Sequence, residues 1–225
     1  NGYIDDIYGV NTVSDARYHS GDPMDDHGHG THVAGIIGAT GDNGIGIRGV
    51  ADNVRIMAIK AGQASGVLTS SDIAEGIDYA VEKGADVINM SFGSFAKSNI
   101  IEDSLAVAFS TSVLIAAAGN NGYINLPHPS GRDMYPAAFP WVVGVMASDG
   151  TNLAGFSNFD FLPEDSHEYS LVAPGVDIIS TLPNGQYAKW DGTSMSAPIV
   201  SGIAALLRSK FNDEWNHSNR FIMGQ

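Results

Sequence analysis

The chain contains no cysteine, few cations and no long apolar run. The absence of cysteine from its 225 residues excludes disulfide bonds and thiolate metal sites. Only 11 lysines and arginines stand against 25 acidic residues, and the net charge of −14 argues against binding to nucleic acid, whose phosphates such a surface repels. No stretch of about 18 apolar residues is present, so no segment is predicted to span a membrane.

The residues that are present predict one α/β domain. A hydrophobic content of 44% in a chain of this length is enough to bury a sizeable core. Segments typical of strands and helices alternate, which favours a parallel sheet with helices on both faces, a three-layer α/β/α sandwich. Strands are predicted over 54–60, 86–91, 112–118 and 141–147, and helices over 70–84, 100–110 and 193–211. The last helix is apolar on most faces and is predicted to be central and buried.

Two short segments carry residues typical of nucleophilic catalysis. Residues 26–35 read Asp-His-Gly-His-Gly-Thr-His-Val-Ala-Gly and place His29 on a glycine-flanked loop, ahead of a helix predicted over 33–39. Residues 192–198 read Gly-Thr-Ser-Met-Ser-Ala-Pro and place Ser194 where a loop becomes a helix. A serine hydroxyl is a poor nucleophile until a base takes its proton, so this pair indicates covalent acyl transfer. The alternative for Ser194 is a simple helix N-cap.

A third segment supplies a candidate donor for a developing oxyanion. Residues 116–122 read Ala-Ala-Ala-Gly-Asn-Asn-Gly, so Asn120 follows a predicted buried strand. An asparagine amide in that place can stabilise a tetrahedral oxyanion together with the Ser194 N–H. Taken alone, such a Gly-Asn-Asn-Gly string is also typical of an ordinary turn.

The three strings, in this order, resemble the motifs of the subtilisin-like serine proteases (subtilases, peptidase family S8). The resemblance covers essentially everything from Asp25 to Phe211. It implies a mainly parallel, subtilisin-like sheet and a secreted, monomeric serine endopeptidase. It also implies that Ser194 is the nucleophile, His29 the base and Asn120 the oxyanion donor, with His32 in a structural role.

The aspartate that completes the subtilase triad is not found before His29. The family orders its triad Asp, His, Ser, and no Asp-Thr-Gly or Asp-Ser-Gly string precedes the histidine. Of the upstream aspartates, Asp5 and Asp6 lack small residues after them, and Asp22, Asp25 and Asp26 lie too close to His29 in the chain. Residues 1–225 are therefore interpreted as a single, truncated peptidase domain whose triad aspartate comes from sequence outside this chain. The alternative is a catalytically inactive subtilase homologue that only binds peptides.

The resemblance also implies where a peptide substrate binds. Two segments look like edges that pair with an extended protein or peptide substrate, Gly66-Val67-Leu68 and Ser91-Phe92-Gly93. The floor of the main specificity pocket is assigned to Ala117, Ala118 and Gly119. Met134 stands where subtilases commonly have glycine, which narrows a pocket that we expect to be apolar.

Two segments are candidates for binding metal. Residues 39–47 resemble the subtilase loop around a structural Ca²⁺, with the Asn43 side chain and three backbone carbonyls as oxygen ligands, from Thr40, Ile45 and Ile47. The alternative for this loop is a glycine-rich turn. His27, His29 and His32 form an H-x-H-x-x-H cluster, which leaves a zinc hydrolase as a third interpretation.

Overall fold

A computed structural model describes residues 7–13, 22–122, 124–125, 133–160 and 169–211. Within these ranges the helices are α1 (His29–Gly38), α2 (Ser70–Glu82), α3 (Asn99–Ala108) and α4 (Thr193–Phe211). The strands are β1 (Gly9–Asn11), β2 (Ala58–Lys60), β3 (Val87–Met90), β4 (Val113–Ala117), β5 (Ile124–Asn125), β6 (Val143–Ser148), β7 (Phe159–Asp160), β8 (Leu171–Pro174), β9 (Ile178–Leu182) and β10 (Gln186–Trp190).

A four-stranded sheet in the order β3-β4-β6-β8 forms the centre of the described structure. Its neighbouring strands are parallel, with Val87 opposite Val113 and Ile115 opposite Val143. Parallel neighbours need a crossover connection, and α3 provides it between β3 and β4. The carboxyl ends of these strands therefore meet at one edge of the sheet.

The two faces of this sheet pack against different helices. Side chains alternate along β4, so that Leu114 enters a core formed with α2 and α3. Its neighbour Ile115 points the other way, into a core that contains Ala197 and Ala204 of α4. Helix α1 lies against α4 and β9. This arrangement is the predicted α/β/α architecture with a mainly parallel sheet.

Helix α4 has the predicted bounds but not the predicted burial. Its first half is largely enclosed, whereas three large apolar side chains of its second half are 41 to 48% exposed, at Ile203, Leu206 and Leu207. The prediction of a helix buried on most faces was wrong here, because the sheet covers only the side of α4 that carries Ala197 and Ala204. No described helix combines the length and the apolar character needed to cross a bilayer.

Strands β9 and β10 form an antiparallel hairpin that the sequence analysis did not predict. Ile178 pairs with Trp190, and Leu182 pairs with Gln186. The three-residue connection turns through left-handed backbone at Asn184 (φ 64°) and Gly185 (φ 71°). The hairpin leads directly into α4 and so delivers Trp190 to the neighbourhood of the α4 N-terminus. A shorter parallel pair joins β1 to β2, and β2 occupies only the end of the strand predicted over 54–60.

Candidate active site

Helix α1 begins at His29 itself, not after a loop that carries the histidine. The predicted start near Val33 was wrong, because the carboxylate of Asp25 accepts hydrogen bonds from the first turn. Gly28 precedes the helix in a left-handed conformation (φ 99°) that favours glycine. It has no side chain for capping, so Asp25 caps the helix from three residues upstream. The imidazole of His29 is thereby fixed at a helix N-terminus.

The Asp25 carboxylate is fully engaged in this capping. Its Oδ1 accepts the N–H groups of His27 and Gly28 at 2.9 and 2.8 Å. Its Oδ2 accepts the N–H and the hydroxyl of Thr31 at 2.8 and 2.6 Å. Burial raises the pKa of this carboxyl, but the hydrogen bonds outweigh burial and lower the pKa to about 2. Asp25 therefore orients α1, and it makes none of these hydrogen bonds with the ring of His29.

The surroundings of His29 favour its neutral form. Burial lowers its pKa below the ordinary 6.5, and repulsion from His27 and His32 lowers the pKa further. The charge of Asp25 acts in the opposite direction but is the smallest of these influences. A neutral imidazole can accept a proton, which is what a general base requires.

His32 is a structural residue, as the resemblance implies. It is fully buried, and its ring stacks on Trp190 with centroids 4.5 Å apart. Its Nε2 lies 3.1 Å from the carbonyl of Ala188. The His29 ring lies on the same indole at 6.2 Å, while His27 meets His29 edge-on at 6.4 Å. The three histidines do not converge on one point, and no group of metal-binding side chains occurs within the described ranges, which argues against the zinc interpretation.

Ser194 is the second residue of α4, and it forms a reciprocal pair with Ser91 at the end of β3. The Ser194 hydroxyl donates to the Ser91 carbonyl at 3.2 Å, and the Ser91 hydroxyl donates to the Ser194 carbonyl at 2.9 Å. The N–H of Ser194 lies in the first turn of α4, where no carbonyl of the helix can accept it. The α4 N-terminus therefore offers both a hydroxyl nucleophile and a free donor.

Asn120 is oriented by Thr193, which the sequence analysis missed. The backbone N–H and the hydroxyl of Thr193 donate to Asn120 Oδ1 at 2.8 and 2.9 Å. Because a backbone N–H can only donate, this contact identifies Oδ1, and the Nδ2 donor must face away from Thr193. The Thr193 hydroxyl also accepts the N–H of Gly119 at 3.0 Å. The one sequence feature that could have indicated this role is that Thr193 directly precedes Ser194.

Asn158 supports the same loop and was also missed. It is 1% exposed, and its Nδ2 donates to the Ala118 carbonyl while its Oδ1 accepts the Asn121 N–H, both at 2.9 Å. Its own N–H donates to the Gly119 carbonyl at 2.9 Å. These bonds clamp the turn on both sides of Asn120. No local pattern around Asn158 indicates this role.

His29, Asn120 and Ser194 line one cleft of about 440 Å³, although they come from three distant parts of the chain. The other lining residues are Asp177, Lys189, Trp190, Asp191 and Met195. The cleft thus brings together a neutral base, a hydroxyl at a helix N-terminus and an oriented amide donor. These are the groups that acyl transfer to serine requires.

A second cavity, of about 220 Å³, opens beside Ser194. The Met134 side chain lies across this cavity, in close contact with Gly93 on one side and Gly119 on the other. A Cβ atom added to Gly93 would lie 2.8 Å from the Met134 side chain, and a Cβ atom added to Gly119 would lie 2.7 Å from it. The described lining is Phe92, Gly93, Ala117, Gly119, Asn120, Asn121, Met134, Thr193 and Ser194. Ala118 differs from the expectation, because side chains alternate at the end of β4 and Ala118 points into the core formed with α2 and α3.

The other predicted binding residues lie in exposed or half-buried loops. Gly66, Val67 and Leu68 form a hairpin turn closed by the Gln63 N–H, which donates to the Val67 carbonyl at 2.9 Å. This turn does not line either cavity. The predicted calcium ligands Thr40, Asn43, Ile45 and Ile47 lie in one loop after α1, where Asn43 Oδ1 accepts the Ile45 N–H at 2.9 Å.

Comparison with known proteins gives one consistent family. The profile of the subtilase family (Peptidase_S8) matches residues 4–223. The chain is 44% identical to the thermophilic serine proteinase of Bacillus sp. (strain AK1) over 84% of this chain and 44% of that protein. It is 40% identical to subtilisin DY of Bacillus licheniformis, over 91% of this chain and 70% of that protein.

Solved structures agree with this family. Sphericase superposes with a TM-score of 0.82 at 32% identity, over 93% of this chain and 71% of that structure. The S41 psychrophilic protease gives the same score and identity, over 96% of this chain and 73% of that structure. The chain spans 44 to 52% of the length of several curated relatives, such as the alkaline protease of Alkalihalobacillus alcalophilus. On its sequence, its fold and the arrangement of its cleft, the chain belongs to the subtilase family.

Proposed function

We propose that this protein is a serine endopeptidase that cleaves peptide bonds through an acyl-enzyme on Ser194. The observation that carries the proposal is that His29, Asn120 and Ser194 line one cleft. Ser194 Oγ attacks the peptide carbonyl, and the neutral His29 accepts its proton and passes it to the leaving amine. Water then enters and attacks the acyl carbon while His29 takes its proton, and His29 passes that proton to Ser194 Oγ as the acid product leaves, which restores both side chains.

The developing oxyanion is stabilised by two donors in this proposal. One is the Ser194 N–H in the first turn of α4, where the helix dipole also favours negative charge. The other is Asn120 Nδ2, which is free because Oδ1 is held by Thr193. Donors that are already oriented lower the barrier without reorganising during the reaction.

The carboxylate that orients His29 is proposed to come from sequence outside this chain. Asp25, four residues before His29, uses both oxygens to cap α1, and Asp26 pairs with Lys60. Without an orienting carboxylate, catalysis by serine and histidine falls by roughly 3 × 10⁴, the loss known for subtilisin itself. This proposal therefore predicts low activity for the 225 residues alone.

The proposed substrates are proteins or peptides bound in extended form, with a small apolar side chain before the scissile bond. The second cavity lies beside Ser194, where that side chain enters, and Met134 crosses it between Gly93 and Gly119. The strand edge Ser91–Gly93 leads into Ser94, which pairs with Tyr135 through two hydrogen bonds of 2.9 Å. This pairing holds Met134 in place. The turn at Gly66–Leu68 is the proposed second edge, and the enzyme is proposed to act as a secreted monomer.

The function is tested on the full-length protein that contains this chain, by labelling it with a serine-directed fluorophosphonate and locating the adduct by mass spectrometry. The expected adduct is on Ser194, with labelling abolished in Ser194→Ala and slowed at least about 100-fold in His29→Ala, in line with general-base contributions. Hydrolysis of a peptide with blocked ends is measured in parallel, because only an endopeptidase cleaves it. An adduct on another residue, or labelling that His29→Ala leaves unchanged, would contradict the assignment.

A structural calcium ion at residues 39–47 is a separate proposal. The ligands would be the Asn43 amide oxygen and the carbonyls of Thr40, Ile45 and Ile47, all hard oxygen donors that suit Ca²⁺. The ends of the loop are joined by the Gly49 N–H, which donates to the Ala39 carbonyl at 2.8 Å. The thermal midpoint should rise with added Ca²⁺, and this rise should be lost in Asn43→Ala. An equal rise in both proteins would contradict the proposal.

A further inference from the structure

The carbonyl of Ser194 lacks the partner that an α-helix normally provides. In a helix the carbonyl of one residue accepts the N–H four residues later, and four residues after Ser194 stands Pro198, which has no N–H. Pro198 is buried inside α4. The first turn of the helix therefore does not fix the nucleophile through its own hydrogen-bond ladder.

The Ser91 hydroxyl fills this gap from the sheet. It donates to the Ser194 carbonyl at 2.9 Å, across 103 positions of sequence. Ser91 follows β3 directly and is only 8% exposed, so water does not compete freely for this bond. The position of the Ser194 main chain is thus fixed by a hydrogen bond from the sheet edge as well as by the helix.

Asn89 directs the Ser91 hydroxyl toward Ser194. Its Nδ2 donates to Ser91 Oγ at 3.0 Å, which leaves the Ser91 proton for the Ser194 carbonyl. Its Oδ1 lies 2.9 Å from the hydroxyl of Ser201, three residues after Pro198 along α4, and that hydroxyl also lies 3.1 Å from the Ala197 carbonyl. The donors thus run from Asn89 to Ser91 to Ser194, and each bond strengthens the next.

We propose that Ser91 and Asn89 are positioning residues for the nucleophile: the Ser91 hydroxyl replaces the N–H that Pro198 lacks and holds the Ser194 peptide in its reactive orientation. The inference rests on the proposed peptidase function. The Ser194 N–H and the Asn120 amide must face one oxygen atom, so a small shift of the Ser194 main chain weakens transition-state binding more than substrate binding.

The test is a double-mutant cycle on Ser91→Ala and Pro198→Ala. Ser91→Ala should lower kcat for a blocked peptide about 5- to 10-fold, the size of one hydrogen bond, with little change in KM. Pro198→Ala restores an N–H that can donate to the Ser194 carbonyl, so in that background Ser91→Ala should cost less than about 2-fold. Such non-additivity is the signature of two groups that serve one acceptor.

Further variants separate positioning from a general loss of folding. Ser91→Thr keeps the hydroxyl and should retain kcat, whereas Asn89→Asp keeps the volume, attracts the Ser91 proton away from Ser194 and should behave like Ser91→Ala. Ser104→Ala removes a buried hydroxyl on α3 that lines neither cavity, and should leave kcat unchanged. Thermal midpoints and the rate of fluorophosphonate labelling are measured for every variant.

The outcomes distinguish this proposal from the peptidase function. Equal losses from Ser91→Ala in both backgrounds, or an unchanged kcat in Ser91→Ala, would overturn the positioning role alone. The same conclusion would follow if kcat fell only in proportion to the folded fraction. If the unaltered, folded full-length protein that contains this chain neither cleaved peptide nor reacted at Ser194, the peptidase function and the positioning role would both be overturned.

Discussion

The amide oxygen of Asn120 accepts two hydrogen bonds from Thr193, one from its backbone N–H at 2.8 Å and one from its hydroxyl at 2.9 Å. This contact turns Nδ2 toward the cleft. Asn120→Ala is therefore expected to lower kcat by about 10²- to 10³-fold, a size taken from the oxyanion-hole asparagine of subtilisin, with little change in KM. Steady-state hydrolysis of a blocked chromogenic peptide measures both constants.

Two further variants control this first prediction. Asn53→Ala removes an exposed asparagine outside the cleft and should leave kcat unchanged. Thr193→Ser keeps the hydroxyl and should retain most activity, whereas Thr193→Val removes it and should cost about 3- to 10-fold, as expected for one hydrogen bond. An Asn120→Ala protein that kept the kcat of the unaltered protein would show that the amide is not an oxyanion donor.

Met134 is expected to determine which side chain is accepted before the scissile bond. Because it crosses the cavity between Gly93 and Gly119, the unaltered protein should cleave after alanine in preference to phenylalanine. Met134→Gly opens the cavity and should raise kcat/KM for phenylalanine relative to alanine by about 10-fold or more. Two chromogenic peptides that differ only in that residue give the ratio.

The control for this substitution is Met134→Leu, which conserves volume and should keep the original preference. Removing a buried methionine side chain costs about 2–5 kcal/mol of stability, so thermal midpoints are recorded beside the kinetics. A preference for phenylalanine that is already present in the unaltered protein would contradict the prediction.

The acid–base behaviour of His29 should depend on His27. The His29 pKa lies below 6.5 because of burial first and repulsion from His27 second. His27→Ala removes that repulsion, so the His29 pKa should move upward toward 6.5. Titration of the imidazole Cε1–H resonances by NMR measures the change. A pKa of His29 that stays the same or falls in His27→Ala would contradict this account.

The same shift has a consequence for stability. Because the His29 pKa is lower in the folded protein than in the unfolded chain, the unfolded chain binds more protons as the pH falls below 6.5. His29 therefore favours folding above this pH, and its contribution is lost as the pH falls from 6.5 to the folded-state pKa. The free energy of unfolding of the unaltered protein and of His29→Gln, measured with denaturant at pH 7 and pH 5, isolates this contribution. A difference between the two proteins that does not change with pH would refute it.

Asp25 should stabilise α1 at every pH at which its carboxyl is ionised. Asp25→Ala leaves the first-turn N–H groups without their acceptor and should cost about 0.5–2 kcal/mol at neutral pH. The folded-state pKa of about 2 lies below the ordinary 3.8, so this contribution is present above 3.8 and is lost between 3.8 and about 2. Denaturant unfolding of both proteins across that range gives the difference, which should shrink on acidification; a difference independent of pH would contradict the assignment.

Much of the architecture could be predicted because local patterns agree with the fold. Helix α4 has the predicted bounds, since Gly192 precedes it and its apolar spacing is uninterrupted up to Phe211. The hairpin β9-β10 was missed although Pro183-Asn184-Gly185 is a turn signal, because its strands do not alternate cleanly between apolar and polar residues.

The part of the site that could not be predicted depends on contacts between distant segments. Asn158 clamps the Asn120 loop from another strand connection, and a lone buried asparagine has no sequence signal for that role. The start of α1 was placed too late because the capping carboxylate of Asp25 stands outside the helix. Local propensity does not describe such contacts, because they exist only after the sheet has assembled.

The order of the reactive groups along the chain also sets the order in which they are made. During synthesis His29 leaves the ribosome first, Asn120 follows after β4, and Ser194 comes only with α4, after all the described strands. On the proposed roles, a nascent chain thus has its base and its oxyanion donor long before its nucleophile. Placing Ser194 on α4 delays the proposed peptidase activity until the sheet that holds the cleft has been translated.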